Sequence, residues 1–401
     1  MKNMLQHGAS RSVNDRSVVC SGSYPSATDC KNSIQNTGSI LCNPLPQQSS
    51  DTSLIQPVNS RKQIWIDIIN PSDVLFFNAL MHDLTDCQIA VTYRERAETV
   101  NLGHSFGIEG AIVGKDSTEP MTKIFQMGFR TARLFRFINH FDCSMSFENG
   151  MSTLVSKMRG KTSFQFCDND LKFIQKTSRY QDLEMKIKLL ADYLIIPRVC
   201  STAFRNHVDG GRLVTYDGYK EDVYIADYIP DPCFLESVPY ERFVVVRPEA
   251  LDAFYVKEKR SIVPAILRGL VHEGVNVIYL PRTLADRRHA DDSPQVFIPD
   301  SSLNGLDLCH YADAVLTGSG TMAREAACMG KRSVSFFPGE HLLSVDRQLV
   351  DDKRVFHSRD PDEIVAYGLE KSTSWQPANR DMSRAVKQSV VRRLKTIISG
   401  N

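Results

Sequence analysis

The chain has 401 residues, with 48 Lys and Arg against 47 Asp and Glu and a formal net charge of +1. A charge this close to zero argues against a protein that mainly binds a nucleic-acid backbone, because such proteins have a clear basic excess. No apolar run approaches the roughly 18 residues that a membrane-spanning helix needs, which excludes an integral membrane protein. The length predicts two domains of ordinary globular size.

Residues 1–61 differ from the rest of the chain. They are rich in Ser, Asn, Gln and Thr and show neither helical nor strand periodicity. Such a segment buries too little apolar surface to offset its ordering entropy, so we expect a disordered polar leader. The alternative is a translation start nearer Met81 or just before Arg61. The segment lacks the apolar stretch of a secretory signal, so we expect a cytoplasmic protein.

From residue 62 onward, apolar strands alternate with helical patterns. Strands are predicted at Ile64–Ile68, Gln88–Thr92, Ala111–Val113, Cys143–Phe147, Ser163–Cys167 and Tyr193–Ile196. Helices are predicted at Asp73–Leu84, 95–105 and Thr122–Asn139, with Ser72 or Asp73 placed to cap the first. Strands separated by helices form parallel sheets covered on both faces, so residues 62–238 are predicted to be a Rossmann-like domain that holds the acceptor.

A second series of the same kind occupies residues 239–375, after the proline-rich segment Tyr228–Pro232. Its predicted strands are Phe243–Val246, Val275–Leu280, Gln295–Ile298, Ala314–Leu316 and Ser333–Phe337. Its predicted helices are Lys257–His272, Leu303–Tyr311 and Thr321–Met329. The last segment, residues 376–401, is predicted to be a helix that crosses back to the first domain. The predicted fold is therefore α/β, with two doubly wound domains and a ligand crevice between them.

A glycine-containing turn lies where the strand ending at Leu316 gives way to a helix. It consists of Gly318, Ser319, Gly320 and Thr321. The glycines allow a ligand close to the backbone, and the hydroxyls and the unpaired N–H groups of the first helical turn favour a diphosphate. Glu325, about one turn further, is placed to accept hydrogen bonds from two ribose hydroxyls. The alternative is ordinary turn and cap chemistry with a solvated Glu325.

Two other residues of the second half are candidates for the same ligand. Arg282 follows a predicted strand, and a guanidinium can bridge two phosphate oxygens. Arg287 and Arg288, which lie among aspartates, are interpreted as a solvated loop. Glu340 could bind sugar hydroxyls or cap the helix that starts near Ser344.

The first domain has polar residues at its strand ends. Asp67, Asn70 and Asp73 cluster at the end of the first strand and are predicted to face the acceptor. The ten cysteines stand singly, without a Cys-x-x-Cys pair, and no metal site is predicted.

Two carboxylates after other strands are candidates for catalysis. An inverting transferase needs a group that takes the acceptor's proton, and Asp168 is the first choice, with Glu148 the second. The alternative is that Asp168 and Asp170 are turn and N-cap residues of a helix beginning near Leu171.

The predicted helix 122–139 is basic and aromatic. Its cations are Lys123, Arg130, Arg133 and Arg136, and its aromatic residues are Phe125, Phe129, Phe135 and Phe137. The interpretation we favour is a solvated basic face with the aromatic side chains in the core. The alternative is weak contact with an anionic membrane that presents a lipid-linked acceptor.

Residues 62–372 resemble an uncharacterised, largely archaeal family termed domain of unknown function 354. The segments that carry the resemblance are Ile64–Ile68 with Asn70-Pro71, Phe76-Phe77, Cys167–Asp170, Tyr228–Pro232, Val245–Glu249, Phe336–Glu340 and Val355–Asp360. The turn at 318–321 with Glu325 is similar to the donor-binding turn of GT-B enzymes, especially the UDP-N-acetylglucosamine 2-epimerases, whose glutamate holds the ribose. The resemblance implies a GT-B-like fold and a nucleotide-sugar ligand.

One position departs from the epimerases. They have a histidine-arginine pair after the first strand of the second domain, where this chain has Val246-Arg247 followed by Pro248-Glu249. Arg247 and Glu249 stay candidates for the nucleotide-sugar site, but the missing histidine favours glycosyl transfer over epimerisation. The alternatives are a nucleotide-sugar 2-epimerase and a non-catalytic nucleotide-sugar-binding protein.

The expected partners follow from this interpretation. They are a nucleotide-sugar donor, bound as a substrate and not as a tightly bound cofactor, and a glycan, lipid-linked or small-molecule acceptor. No nucleic-acid partner is expected, and the sequence leaves the oligomeric state open.

Overall fold

The computed structural model describes residues 61–96, 98–115, 120–175, 179–251, 258–290, 293–370 and 380–400. The predicted leader therefore lies outside the described residues except for Arg61, as does the predicted start of a helix at Lys257. No helix in the described ranges combines the length and the apolarity needed to cross a membrane.

The amino-terminal half forms a seven-stranded parallel sheet in the order β3-β2-β1-β4-β5-β6-β7. Its strands are β1 Gln63–Ile68, β2 Gln88–Glu95, β3 Ala111–Lys115, β4 Cys143–Phe147, β5 Thr162–Phe166, β6 Tyr193–Pro197 and β7 Leu213–Tyr216. Its helices are α1 Pro71–Met81, α2 Thr99–Ser105, α3 Pro120–Phe137, α4 Gly150–Met158, α5 Leu171–Ile174, α6 Arg179–Lys188, α7 Ser201–Phe204 and α8 Lys220–Ile225.

The carboxyl-terminal half forms a six-stranded parallel sheet in the order β10-β9-β8-β11-β12-β13. Its strands are β8 Val244–Arg247, β9 Val277–Tyr279, β10 Val296–Phe297, β11 Ala314–Thr317, β12 Arg332–Ser335 and β13 Phe356–His357. Its helices are α9 Val263–His272, α10 Leu284–Arg287, α11 Gly305–Tyr311, α12 Gly320–Cys328, α13 Ser344–Asp351 and α14 Pro361–Leu369. The strand order is that of a doubly wound sheet, so the predicted fold class is confirmed.

The order of strands places the functional edge of each sheet. In both sheets, successive strands are added first on one side of the first strand and then on the other. Strand β1 therefore lies between β2 and β4, and β8 lies between β9 and β11. Ligands of open parallel sheets bind at the carboxyl ends of the strands around this reversal. The segments of interest are therefore the loops that follow β1, β4, β5, β8 and β11.

Strand β1 is buried on both faces, as expected of a central parallel strand. Ile64, Ile66 and Ile68 join the main core, whereas Trp65 packs in a separate cluster with residues of α3 and α4. Helix α1 places Phe76 edge-on against Phe166 of β5, with ring centroids 4.9 Å apart. This aromatic contact packs α1 against the sheet and makes the loop before α1 a rigid part of the edge.

The cap of α1 differs from the predicted one. The N-cap is Asn70, and the Asp73 carboxylate accepts the backbone N–H of Asn70 at 3.0 Å. The helix begins earlier than predicted because Pro71 is suited to the first helical position, where no N–H is needed.

The final helix, α15 (Arg380–Gly400), packs on elements of the first sheet. Its Ser383 hydroxyl donates to Asp222 of α8 at 2.7 Å, and Lys387 pairs with Asp83 at 2.5 Å and with Asp227. Val386 lies against Gly218, whose φ of 124° and lack of a side chain make room for it.

Candidate functional site

The carboxyl ends of the two sheets contact each other directly. The backbone N–H of Ser344, at the start of α13, donates to the Asp170 carboxylate at 3.1 Å. Arg324 of α12 lies 3.7 Å from the Asp168 carboxylate. The loop after β5 therefore touches two helices of the second half, and charged residues of both sheets share one buried site.

Arg324 is the cation that joins the two halves. It is 3% exposed, and its Nε and Nη1 donate to Glu221 at 2.9 Å and to Asp346 at 2.7 Å. Burial opposes its charge, but Glu221, Asp346 and Asp168 outweigh that effect and raise the pKa of Arg324 well above its ordinary value. A buried arginine held by three carboxylates is charged at every pH at which the protein is folded.

Four buried side-chain oxygens, three in the loop after β5 and one in α8, accept no hydrogen bond from the residues that the structure describes. They belong to Asp168 (Oδ2), Asn169 (Oδ1), Asp170 (Oδ2) and Glu221 (Oε2), which we call the open acceptor cluster. An unsatisfied buried polar atom costs about 1–3 kcal/mol, and native proteins keep few of them. The cluster is therefore a place where donors of a ligand would be bound.

Lys220 and Arg324 supply the positive charge of this cluster. The Lys220 ammonium group lies 3.4 Å from Asp168 Oδ2 and 4.8 Å from the centre of the Phe147 ring. Burial opposes its charge, but Asp168 and Glu221 raise its pKa. Burial also raises the pKa of Glu221 and of Asp170. Burial therefore disfavours the ionised form of both carboxyl groups.

Glu148 is committed to the turn that carries Asp168. Its Oε1 accepts the backbone N–H groups of Asp168 at 3.0 Å and Asn169 at 2.9 Å, and its Oε2 accepts Lys188 at 2.5 Å. Burial alone would raise its pKa, but Lys188 and Lys172 outweigh burial and lower it. Its backbone is left-handed, with φ of 49°. Of the two predicted catalytic carboxylates, only Asp168 has an oxygen without a hydrogen bond.

Asp170 occupies the N-cap position of α5, as the alternative interpretation predicted, but its side chain makes no capping bond. One carboxylate oxygen accepts the Ser344 N–H and the other has no partner. Its side chain therefore serves the contact between the halves and not the helix.

The turn at 318–321 is built as a close backbone approach. The Gly318 N–H donates to the Arg247 carbonyl at 3.0 Å, and a Cβ at Gly318 would lie 2.6 Å from the Cα of Glu249. Ser319 is the N-cap of α12, and Ser319, Gly320 and Thr321 are half-buried. Glycine is required at 318 because the neighbouring strand loop occupies the side-chain position.

Glu325 lies one turn into α12 and is 9% exposed. Its carboxylate accepts the Tyr224 hydroxyl from α8 at 2.8 Å. Burial raises the pKa of Glu325 to about 7, although the Tyr224 hydrogen bond and the charge of Arg247 act in the opposite direction. The Arg247 Nε is buried and has no hydrogen-bond partner in the described part of the chain. An unpaired guanidinium N–H beside a buried carboxylate is suited to an anion such as phosphate.

The other predicted residues of the second half differ in solvent exposure and in their hydrogen bonds within the protein. Glu249 is bonded internally, to Arg359 at 2.8 Å and to the Ser261 hydroxyl at 2.7 Å. Arg282 is exposed and donates from Nε to the Pro248 carbonyl at 2.9 Å, which places it beside the loop after β8. Glu340 is exposed.

Asp67 lies inside the first half. It forms a two-armed ion pair with Arg130 at 2.7 and 2.8 Å and accepts Thr92 and Asn149, each at 2.6 Å. We call these four residues the Asp67 network. Asp67 is fully buried, so the structure places it in a saturated internal network.

Asn70 and Asp73 lie in the turn between β1 and α1. Asn70 accepts Arg96 at 2.7 Å and donates to Asp73 at 3.1 Å. Burial raises the pKa of Asp73 to about 6 against the influence of Lys220. The charge of Lys220 therefore acts both on this turn and on the open acceptor cluster. Asp67 lies apart from the cluster.

Several residues of the site were not singled out by the sequence interpretation. They are Lys220, Glu221, Tyr224, Arg324 and Asp346. The first three lie in α8, a helix of six residues whose signal is too short to stand out. Arg324 follows Ala323 in α12, and an arginine inside a helix carries no local signal of a buried ion pair. The signal that was present is the charged run Lys220-Glu221-Asp222 just after a turn containing Gly218.

The profile of the family described as "Protein of unknown function (DUF354)" matches residues 62–387. The chain belongs to this family. An uncharacterised protein of Methanocaldococcus jannaschii is 21% identical over 326 residues, which are 76% of this chain and 90% of the relative. The predicted family membership is thereby confirmed, and the family has no established reaction.

Solved structures show the GT-B-like fold. The UDP-GlcNAc 2-epimerase of M. jannaschii, in complex with UDP-GlcNAc and UDP, has a TM-score of 0.62 and 12% identity, over 82% of this chain and 99% of its own. The glycotransferase of kitacinnamycin has a TM-score of 0.54 and 12% identity, over 84% and 98%. At these identities the likeness shows the fold alone, which these two kinds of enzyme share with this chain.

Proposed function

We propose that this protein is a GT-B-type glycosyltransferase that moves a sugar from a nucleoside diphosphate to an acceptor hydroxyl. The observation that carries the proposal is the open acceptor cluster beside the α12 turn. Four buried acceptor oxygens have no hydrogen-bond partner there among the described residues, and a sugar or polyol ligand is a dense source of hydroxyl donors. A nucleotide-sugar ligand is also what the structurally similar M. jannaschii epimerase holds.

The donor would bind on the second sheet. Glu325 would accept the two ribose hydroxyls, and this requires the Tyr224 hydroxyl to give up or share its present bond. Arg247 would donate from its unpaired Nε to a phosphate oxygen, with the first-turn N–H groups of α12 and Arg282 completing the diphosphate site.

The acceptor would bind at the loop after β5. Asp168 has one carboxylate oxygen without a hydrogen bond, and Glu148 fixes the backbone of its turn. In the transfer step, the acceptor oxygen forms a bond to the anomeric carbon while the bond from that carbon to the diphosphate oxygen breaks. The acceptor's proton goes to Asp168, whose Oδ2 lies 3.4 Å from the Lys220 ammonium group and 3.7 Å from the Arg324 guanidinium.

Epimerisation at the 2-position is the second candidate, because the fold is shared with a UDP-GlcNAc 2-epimerase. The residue before Arg247 is Val246, which is fully buried in the core of the second sheet, so that position supplies no titrating group. The two reactions differ in a simple way. An epimerase converts the sugar nucleotide alone, and a transferase needs an acceptor.

The first experiment is a thermal-shift screen of the whole protein against UDP, GDP, CMP and TDP sugars. A ligand at 100 times its dissociation constant stabilises a protein by about 2.7 kcal/mol, which gives an easily measured rise in Tm. We expect a rise with one base, lost in Glu325→Ala and kept in Glu273→Ala, an exposed glutamate after α9. No rise with any nucleotide, in protein shown to be folded, would contradict the proposed donor site.

The second experiment tests the catalytic role of Asp168. With the donor identified and acceptors screened, Asp168→Asn should lower kcat by about 10²- to 10⁴-fold while the donor-induced Tm rise stays. Asp209→Asn, an exposed aspartate in the first half, is the matched control. Unchanged turnover in Asp168→Asn would remove Asp168 as the base, and product formed without acceptor would favour epimerisation. Binding without any product would favour a non-catalytic protein.

A further inference from the structure

The outer face of α3 exposes large aromatic side chains. Phe125, Phe129 and Phe137 are 77%, 68% and 54% exposed. Single exposed apolar residues are ordinary, but three phenylalanines on one helix are not explained by packing against the residues that the structure describes. The expectation that the aromatic residues of this helix lie in the core is wrong for these three.

The core contacts of α3 are made by a different side of the helix. Leu134 and Ile138 pack with Trp65 and Val113, and Arg130 turns inward to Asp67. Phe135 is half-buried, and Arg159 lies over its ring at 4.3 Å. The helix is thus fully anchored without Phe125, Phe129 and Phe137.

The exposed residues form one continuous face. With 3.6 residues per turn, positions 125, 129, 133, 136 and 137 fall within an arc of about 120°. Arg133 and Arg136 are exposed on this arc, and the Arg133 guanidinium lies 5.9 Å from the centre of the Phe129 ring. We call this the α3 outer face, defined by Phe125, Phe129, Arg133, Arg136 and Phe137.

The charge of this segment has one sign. From Pro120 to Phe141 the sequence contains no Asp or Glu, whereas it contains Lys123 and three arginines. Arg130 is paired with a carboxylate inside the protein, whereas Arg133 and Arg136 form no ion pair with the residues that the structure describes. Aromatic residues interleaved with unopposed arginines on one face are the composition of helices that lie in the surface of an anionic bilayer. A second protein surface of neutral charge would leave the arginines without partners.

We propose that the α3 outer face binds the surface of an anionic lipid bilayer, with the helix lying parallel to the interface. The phenylalanines enter the boundary between head groups and acyl chains, and Arg133 and Arg136 contact lipid phosphates. Helix α3 begins after β3, at the same edge of the parallel sheet as Asp168. The helix then runs back toward the start of β4, so the α3 outer face extends from the carboxyl edge of the first sheet toward its amino edge. This inference stands apart from the proposed reaction.

The test is sedimentation of the full-length protein with vesicles. One set contains phosphatidylcholine alone, and the other contains phosphatidylcholine with added phosphatidylglycerol. We expect binding to the second set only, and weaker binding when salt is raised from about 0.1 M to 1 M, because the Debye length falls from about 10 Å to about 3 Å.

Two variants separate the aromatic and the charged contributions. Phe125→Ser/Phe129→Ser should weaken binding about a hundredfold, since each buried phenylalanine contributes about tenfold. Arg133→Gln/Arg136→Gln should weaken it about thirtyfold. The matched controls are Leu284→Ser, at a side chain 84% exposed in the second half, and Arg287→Gln/Arg288→Gln. All changed side chains are exposed, so each variant is expected to fold, which its Tm verifies.

Three outcomes would overturn the proposal. One is equal binding to neutral and anionic vesicles, and another is an equal loss in the Leu284 or Arg287/Arg288 controls. The third is concentration-dependent self-association in lipid-free buffer that Phe125→Ser/Phe129→Ser abolishes, measured by sedimentation velocity. That result would assign the face to a second copy of the chain.

Discussion

Two acidic regions of the first sheet lie at the carboxyl ends of strands and differ in one respect. In the Asp67 network, both carboxylate oxygens accept strong donors from Arg130, Thr92 and Asn149. In the open acceptor cluster, four oxygens accept no hydrogen bond from the described residues. Lys220 and Arg324 lie 3.4 and 3.7 Å from one of these oxygens, Asp168 Oδ2. Both regions are buried.

The difference teaches how to separate a structural carboxylate from a functional candidate in this fold. A position at the carboxyl end of a strand does not distinguish them, since Asp67 is the last residue but one of β1 and Asp168 lies two residues after β5. The distinguishing property is whether the protein itself satisfies the side chain. A carboxylate whose oxygens all accept hydrogen bonds adds specificity and stability to the fold. Acceptors without hydrogen bonds weaken the fold and are retained where a ligand supplies the donors.

Removing the cation of the Asp67 network should have the largest effect on stability. Arg130→Met leaves the Asp67 charge buried without its ion pair, and breaking such a pair costs about 3–5 kcal/mol. Urea unfolding followed by circular dichroism measures this loss. Arg136→Met, on the exposed side of the same helix, is the control and should change the free energy of unfolding by about 0.5 kcal/mol or less. A loss below 1 kcal/mol in Arg130→Met would contradict the comparison.

The architecture could be predicted from the sequence to a large extent. Every predicted strand is present, because continuous apolar runs bounded by turns are a strong signal for buried parallel strands. The missed elements include β7, β13, α7, α8, α10 and α14. Strand β7 has four residues at the edge of its sheet and β13 has two, so neither carries a buried apolar run of its own.

The site could be predicted only in part. The turn at 318–321 and Asp168 could be named from the sequence because each follows a strand, and Glu325 because it lies about one helical turn further. Their roles in binding and catalysis stay predictions. The satisfied state of Asp67 depends on Arg130, which is 63 positions away in the chain, and the role of Arg324 depends on Glu221, 103 positions away. Hydrogen-bond saturation is a property of the packed structure, and no local pattern carries it.

The second prediction concerns the buried Glu325. Its pKa rises from 4.5 to about 7 on folding, so between these values the folded protein holds a proton that the unfolded chain has lost. Its contribution to stability is therefore greatest below pH 4.5 and falls as pH rises to 7, by roughly 3 kcal/mol at 1.36 kcal/mol per pKa unit. Glu325→Gln has no such dependence. Relative to the original protein, it should gain about that much stability between pH 4.5 and pH 8.

Urea titrations at pH 4.5, 6 and 8 measure this difference, with Glu273→Gln as the exposed control. A stability difference between Glu325→Gln and the original protein that stays constant with pH would show that Glu325 titrates normally. The Tyr224 hydroxyl can donate to the amide oxygen of glutamine, so the substitution removes the charge and keeps the hydrogen bond.

The smallest effect is expected in the open acceptor cluster, and it tests the comparison most directly. Asp170→Asn keeps an oxygen that accepts the Ser344 N–H. It removes a carboxyl group whose pKa is raised by burial. At pH 7 the substitution should change the free energy of unfolding by about 1 kcal/mol or less, in either direction. Asp67→Asn, the same change in a saturated site, should cost about 3 kcal/mol or more, because the Arg130 charge loses its partner. Equal losses in the two variants, measured in the same urea titration, would mean that Asp170 is a structural carboxylate like Asp67.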